Sequence, residues 1–65
     1  MSAALVKLPH ALAKTGLSRS AMYRLLRARQ FPAPVKLGRS IAFADAELDA
    51  WIAAKLAERD RGEQP

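Results

Sequence analysis

Pro32 and Pro34, one residue apart, set the first limit on what this chain can fold into. Each proline lacks an amide hydrogen, fixes its own φ, and pushes the residue before it out of the helical region. Phe31-Pro32-Ala33-Pro34 must therefore be extended or turning. No helix crosses this point, so a 65-residue chain is divided into two short parts that must share one core.

Upstream of the prolines the pattern is helical. Pro9 suits the first position of a helix, and Leu8, Ala11 and Leu12 recur at helical spacing. Gly16 is placed to end that helix. Ser18 then caps a second helix, with Leu17 before the cap and Met22 at the fourth helical position set to form a hydrophobic staple. Met22, Leu25 and Leu26 make its apolar stripe. At ~100° per residue, Ser20, Tyr23, Arg24 and Arg27 point away from that stripe.

Downstream, Val35-Lys36-Leu37 and Ile41-Ala42-Phe43 alternate about Gly38-Arg39-Ser40, which reads as a tight turn in a short β-hairpin. A third helix begins near Asp45, with either Asp45 as its cap or Ala44 in the cap position and a Phe43–Leu48 staple. Leu48, Trp51, Ile52 and Leu56 form its apolar stripe. Trp51 is expected in the core against the first helices, and His10 at the surface. Residues 1–4 and about 60–65 are expected to fray. The order is helix, turn, helix, hairpin, helix. The fold class is mainly α with a small β-hairpin, a winged helix-turn-helix. The expected organisation is one domain over residues 1–65 with an ordered core over about 5–59.

A chain of this size buries a thin core, rarely contributing more than ~3–5 kcal/mol. With no cysteine and one histidine, neither a disulfide nor a protein-built metal site is expected, and no cofactor is implied. No apolar run approaches the ~20 residues that span a bilayer, so no membrane association is expected, and a cytoplasmic protein is the default. An enzyme is not expected, because no nucleophile–base pair, paired carboxylates or glycine-rich phosphate loop is present. Charge is more informative. Residues 1–44 carry eight basic side chains and no acidic one, net +8; residues 45–65 carry three basic and six acidic, net −3. A basic body of this kind points to a polyanionic partner.

The helix-turn-helix order gives that partner a shape. A helix fits the major groove of B-DNA, where each base pair shows a distinct donor and acceptor pattern. Residues near the helix N-terminus approach base edges most closely, here Ser18, Arg19, Ser20, Tyr23 and Arg24, with Arg27 one turn on. Tyr23 either contacts nucleic acid or lies half-buried with its hydroxyl in water. Lys36, Gly38 and Arg39 at the hairpin tip are candidates for a minor groove or its phosphates. A basic winged helix that binds RNA is an alternative, although the four aromatic residues form no stacking platform. A protein adaptor is another.

The segments GLSRSAMYRL (Gly16–Leu25), FPAPVKLG (Phe31–Gly38) and ELDAWI (Glu47–Ile52), in this order and spacing, resemble the AlpA family of small phage and prophage regulators. That family is grouped with the excisionases and the MerR-like winged helix-turn-helix domains, and the resemblance covers roughly residues 5–59. It implies double-stranded DNA binding in a bacterial cytoplasm, on the nucleoid when bound. It also implies a role as transcriptional regulator or as recombination directionality factor, which bends DNA at an attachment site. Further copies on repeated sites and an integrase are the implied protein partners. By the same resemblance Arg19, Ser20, Tyr23 and Arg24 fall on the recognition helix and Lys36, Gly38 and Arg39 on the wing. Ile41-Ala42-Phe43-Ala44 departs from it, since relatives often carry a bulkier residue and a further charge there.

Overall fold

A computed structural model describes residues 3–63. The chain forms strand β1 (Leu5–Lys7), helix α1 (Leu8–Thr15), helix α2 (Arg19–Arg27), strands β2 (Val35–Leu37) and β3 (Ser40–Ala44), and helix α3 (Asp45–Asp60). The strands make one antiparallel sheet in the order β1-β3-β2. Two helices joined by a short turn, a hairpin and a third helix constitute the winged helix-turn-helix expected from the sequence.

Each junction has a local cause. α1 starts at Leu8, one residue before the position expected, with Pro9 in its first turn where a missing amide hydrogen does no harm. It ends where Gly16 takes φ +76° and donates its N–H to the Leu12 carbonyl at 2.8 Å. Thr15 braces the turn: its hydroxyl donates to the Ala11 carbonyl at 2.8 Å and accepts from the Leu17 amide at 3.4 Å. Ser18 then opens α2 as expected, its Oγ accepting the Ala21 N–H at 3.1 Å. In the hairpin, Leu37 pairs with Ser40, so the loop is only Gly38-Arg39 and Ser40 belongs to β3 rather than to the turn. Gly38 alone of the two has positive φ, +63°, the pattern of a type II′ turn, which matches the twist of its strands.

Alternation along β3 divides the sheet into two faces. Ile41 and Phe43 look toward the helices, together with Val6, the cross-strand partner of Phe43. Leu8, Ala11, Met22, Phe31, Phe43 and Leu48 form the buried cluster, with Leu12, Leu17, Leu25, Leu26 and Trp51 packed around it. Ala42 on the opposite face is also buried, flanked in register by Lys7 and Val35. Nothing among the described residues covers that outer face further: Leu5, Val35 and Leu37 are 50%, 45% and 44% exposed.

The aromatic residues join the two halves of the chain. Phe31 meets Phe43 edge-on, centroids 5.7 Å apart at 84°, and lies 4.9 Å from Trp51. The Trp51 indole donates to the Gln30 carbonyl at 3.2 Å. Trp51 is therefore half-buried against the proline segment, not sunk among the first helices. The proline segment thus supplies a core residue as well as a break.

The structure differs from the sequence expectation at three further places. β1 was not expected; three residues are too short for alternation to be visible, and the strand exists because β3 offers an edge to pair with. Leu56 is 46% exposed, since the core ends before the last turns of α3. The chain near residue 60 is ordered: α3 runs to Asp60 and closes through Gly62 N–H to the Arg59 carbonyl at 3.0 Å and Glu63 N–H to the Glu58 carbonyl at 2.9 Å. Residues 1, 2, 64 and 65, also expected to fray, lie outside the described residues.

Candidate nucleic-acid interface

The turn at Gly16–Ser18 and the apolar stripe of α2 fix which side of that helix meets solvent. Met22 is fully buried and Leu25 and Leu26 pack on the core, so the opposite side is free. Arg19, Ser20, Tyr23, Arg24 and Arg27 are all exposed there, as the helical phase requires. Ser18, Arg19, Ser20, Tyr23 and Arg27 line a shallow hollow along the first two turns. Tyr23 is 38% exposed and lines both that hollow and the space beside the hairpin.

A cleft of about 280 Å³ separates the start of α2 from the hairpin. Arg19 and Tyr23 line it from the helix, Arg39, Ser40 and Ile41 from the hairpin, and Lys7, Leu8 and Pro9 from the junction of β1 and α1. The fold thus brings Arg19, Tyr23 and Arg39 to one place. Arg24, Lys36 and Gly38 are exposed but line neither this cleft nor the α2 hollow. Lys36 pairs with Ile41 in register and so projects on the helix side of the sheet. Lys7 belongs to the cleft and was not singled out from sequence. The signal that would have found it is the third strand, which carries Lys7 beside the hairpin.

The distribution of ion pairs sharpens the charge asymmetry. Lys14 on α1 reaches two carboxylates at the start of α3, Asp45 and Asp49, the latter at 2.8 Å. Hydrogen bonding to Asp45, then to Asp49, holds the Lys14 ammonium protonated above the ordinary lysine range. Glu58 pairs with Lys55 at 3.3 Å, Asp60 with Arg59 at 3.0 Å and Glu63 with Arg61 at 2.8 Å. The Arg61 partner pulls the Glu63 carboxyl below its usual value. Glu47 stays at the N-terminus of α3, where the helix dipole favours it. Among the described residues, Lys7, Arg19, Arg24, Arg27, Arg29, Lys36 and Arg39 have no acidic partner. The acids are thus mostly neutralised within α3 and by α1. The unpaired cations lie on α2 and its C-terminal turn, the hairpin and β1.

This surface can bind phosphate groups through unpaired guanidinium and ammonium groups, and can present hydrogen-bonding side chains from an exposed helix. No helix among the described residues is long and apolar enough to cross a membrane.

Comparison with known proteins accords with this architecture. The family model described as "Prophage CP4-57 regulatory protein (AlpA)" matches residues 4–56, from the start of β1 to the late turns of α3. The chain is 40% identical over 58 residues to the "Uncharacterized protein ORF88" of Enterobacteria phage P4, an alignment covering 88% of this chain. It spans 66% of that relative's length. No solved structure matches the chain. The matched segment contains α1, α2, the hairpin and most of α3, and the chain belongs to the AlpA family of prophage regulatory proteins.

Proposed function

We propose that this AlpA-family chain is a sequence-specific double-stranded DNA-binding protein of a mobile genetic element. The observation that carries the reading is the set of unpaired cations on and around an exposed helix, in a chain whose carboxylates are mostly tied up internally. A phosphate backbone is the polyanion that such a surface suits. A helix with Arg19, Ser20, Tyr23 and Arg24 exposed near its N-terminus suits the edges of bases in the major groove.

In this reading α2 enters the major groove. Arg19, Ser20, Tyr23 and Arg24 face base edges, while Ser18 and Arg27 hold flanking phosphates. The hairpin, with Lys36, Gly38 and Arg39, reaches the adjacent minor groove or its phosphates. A helix in one groove and a hairpin in the next straddle a single sugar–phosphate strand, and the cleft between Arg19 and Arg39 is where that strand runs. Lys7 joins the phosphate contacts there. An RNA duplex suits the helix less well, because its deep, narrow major groove is closed to side chains.

Function then follows from where the sites lie. Beside a promoter the protein regulates transcription. At an attachment site it bends DNA and directs an integrase toward excision. A single small module covers only ~600–1,000 Å² on DNA, short of the ~1,000–2,500 Å² usual for specific binding. Adjacent copies binding cooperatively make up the difference.

The test is footprinting on DNA of the element that encodes the chain, with RNA and single-stranded DNA as competitors. A protected duplex segment is expected, with weakening of ~1–3 kcal/mol and relaxed preference at one base pair in Arg24→Ala. Direct repeats filled cooperatively support adjacent copies. One complex of two chains on an inverted repeat contradicts them, and effective competition by RNA contradicts the duplex reading.

A further inference from the structure

Three helices of this chain end in a left-handed residue, and one of the three is not glycine. Gly16 closes α1 at φ +76° and Gly62 closes the end of α3 at φ +74°. At the end of α2 the same role falls to Arg29, at φ +58°. The backbone around it is a complete double cap. Arg29 donates its N–H to the Leu26 carbonyl at 3.1 Å and Gln30 donates to the Leu25 carbonyl at 2.9 Å. This geometry selects for glycine, because a Cβ crowds the following carbonyl in the left-handed region. Arginine has no polar side-chain atom close enough to its backbone to offset that crowding, as asparagine does.

No side-chain hydrogen bond or ion pair among the described residues rewards the arginine. Arg29 is exposed and has no acidic partner among the described residues. It lines a hollow with Leu26, Phe31, Ala33 and Pro34, where α2 runs out beside the approach to the hairpin. At the other end of the same helix, Arg19 and Arg39 line the cleft beside the hairpin. Arg19 and Arg29 therefore lie at opposite ends of α2.

We infer that Arg29 is a phosphate-binding residue of the interface, held in an unfavourable backbone conformation because its guanidinium contacts the backbone of the bound duplex. Unfavourable conformations that persist are found where function uses the side chain. A phosphate is favoured over a protein carboxylate because the exposed charges nearest to it along the chain, Arg24 and Arg27, are also cations without acidic partners among the described residues. This inference rests on the duplex-binding reading and adds a residue outside the recognition helix and the hairpin.

The experiment compares thermal unfolding and duplex binding for the wild type and for Arg29→Gly, Arg29→Asn and Arg29→Lys. Glycine relieves the crowding but loosens the unfolded chain, so Arg29→Gly raises Tm by only about 2–8 °C. The same variant binds duplex about three- to tenfold more weakly on every sequence, and its log–log salt slope is shallower by about one. Arg29→Asn, which tolerates the left-handed region without a charge, raises Tm by no more than the glycine variant does and loses the same affinity. Arg29→Lys keeps Tm and recovers most of the binding through its point charge. Undiminished affinity in Arg29→Gly and Arg29→Asn overturns the inference while wild-type binding leaves the functional reading standing. A wild type that does not bind duplex overturns both.

Discussion

Phe43 is the residue through which the hairpin is attached to the helices, and replacing it measures how far one core unites the chain. It is fully buried, stands opposite Val6 across the β1–β3 pair, and receives the edge of Phe31 at 5.7 Å. Phe43→Leu keeps an apolar side chain but removes the ring. Loss of the aromatic pair contributes ~0.5–1.5 kcal/mol. Refitting a differently shaped side chain in a close-packed site adds up to ~1.5 kcal/mol. The expected destabilisation is therefore about 0.5–3 kcal/mol. A chain of this length has ~3–10 kcal/mol of stability at ordinary values per residue, and so small a core places it near the lower end. At ~4–8 °C per kcal/mol, Tm falls by roughly 2–24 °C. Phe43→Ala, at ~3–5 kcal/mol, removes most of the stability and leaves the chain largely unfolded. The assay is urea unfolding followed in parallel by helical circular dichroism and by fluorescence of Trp51, the single tryptophan, which packs on Phe31. The two probes should give one coincident transition with an unchanged m-value. A loss below ~0.5 kcal/mol for Phe43→Leu, or two separated transitions, would refute the idea that hairpin and helices share a single cooperative core.

Two further perturbations test the local arguments. Ser18→Ala removes the cap of α2 and should lower stability by ~1 kcal/mol, whereas Ser18→Gly, which lets water reach the free amides, costs only a few tenths; unchanged stability in Ser18→Ala would mean that the hydroxyl bond to Ala21 contributes nothing. The raised Lys14 value sets a pH test. A group with a raised folded-state value stabilises fully below its unfolded value, about pH 10.4 for lysine, and loses that contribution as pH rises through the raised one. Wild-type Tm should decline above about pH 10 more steeply than that of Lys14→Met, with the difference shrinking in high salt because the site is partly exposed. Identical alkaline profiles would show that Lys14 does not tie α1 to α3.

The sequence was most legible where one residue type has one physical use. Gly16 ends a helix, Ser18 caps the next, Gly38 makes the hairpin loop, and the prolines forbid helix across 31–34. The exposed face of α2 followed from Met22, Leu25 and Leu26 by phase alone, and it holds Ser20, Tyr23, Arg24 and Arg27 as expected. Features that depend on distant partners were not legible. β1 exists because β3 has an edge to offer, and with β1 came Lys7 in the cleft. Trp51 found its partner in Phe31, twenty residues away, rather than in the first helices. Arg29 was visible only as one more positive charge, because a left-handed backbone at a non-glycine residue contradicts local preference and is seen only in the folded chain.

In the proposed reading, the unpaired cations on α2, the hairpin and their flanks engage a duplex phosphate backbone. The most direct measurement is the equilibrium affinity for a duplex as salt is varied. Each phosphate neutralised contributes about −0.9 to the slope of log K against log salt. Seven cations lack acidic partners among the described residues, so engagement of four to seven predicts a slope of roughly −4 to −6. Affinity should then fall by a few hundredfold or more between about 50 and 200 mM salt. A slope near zero, with binding unaltered across that range, would mean that these cations do not engage phosphates.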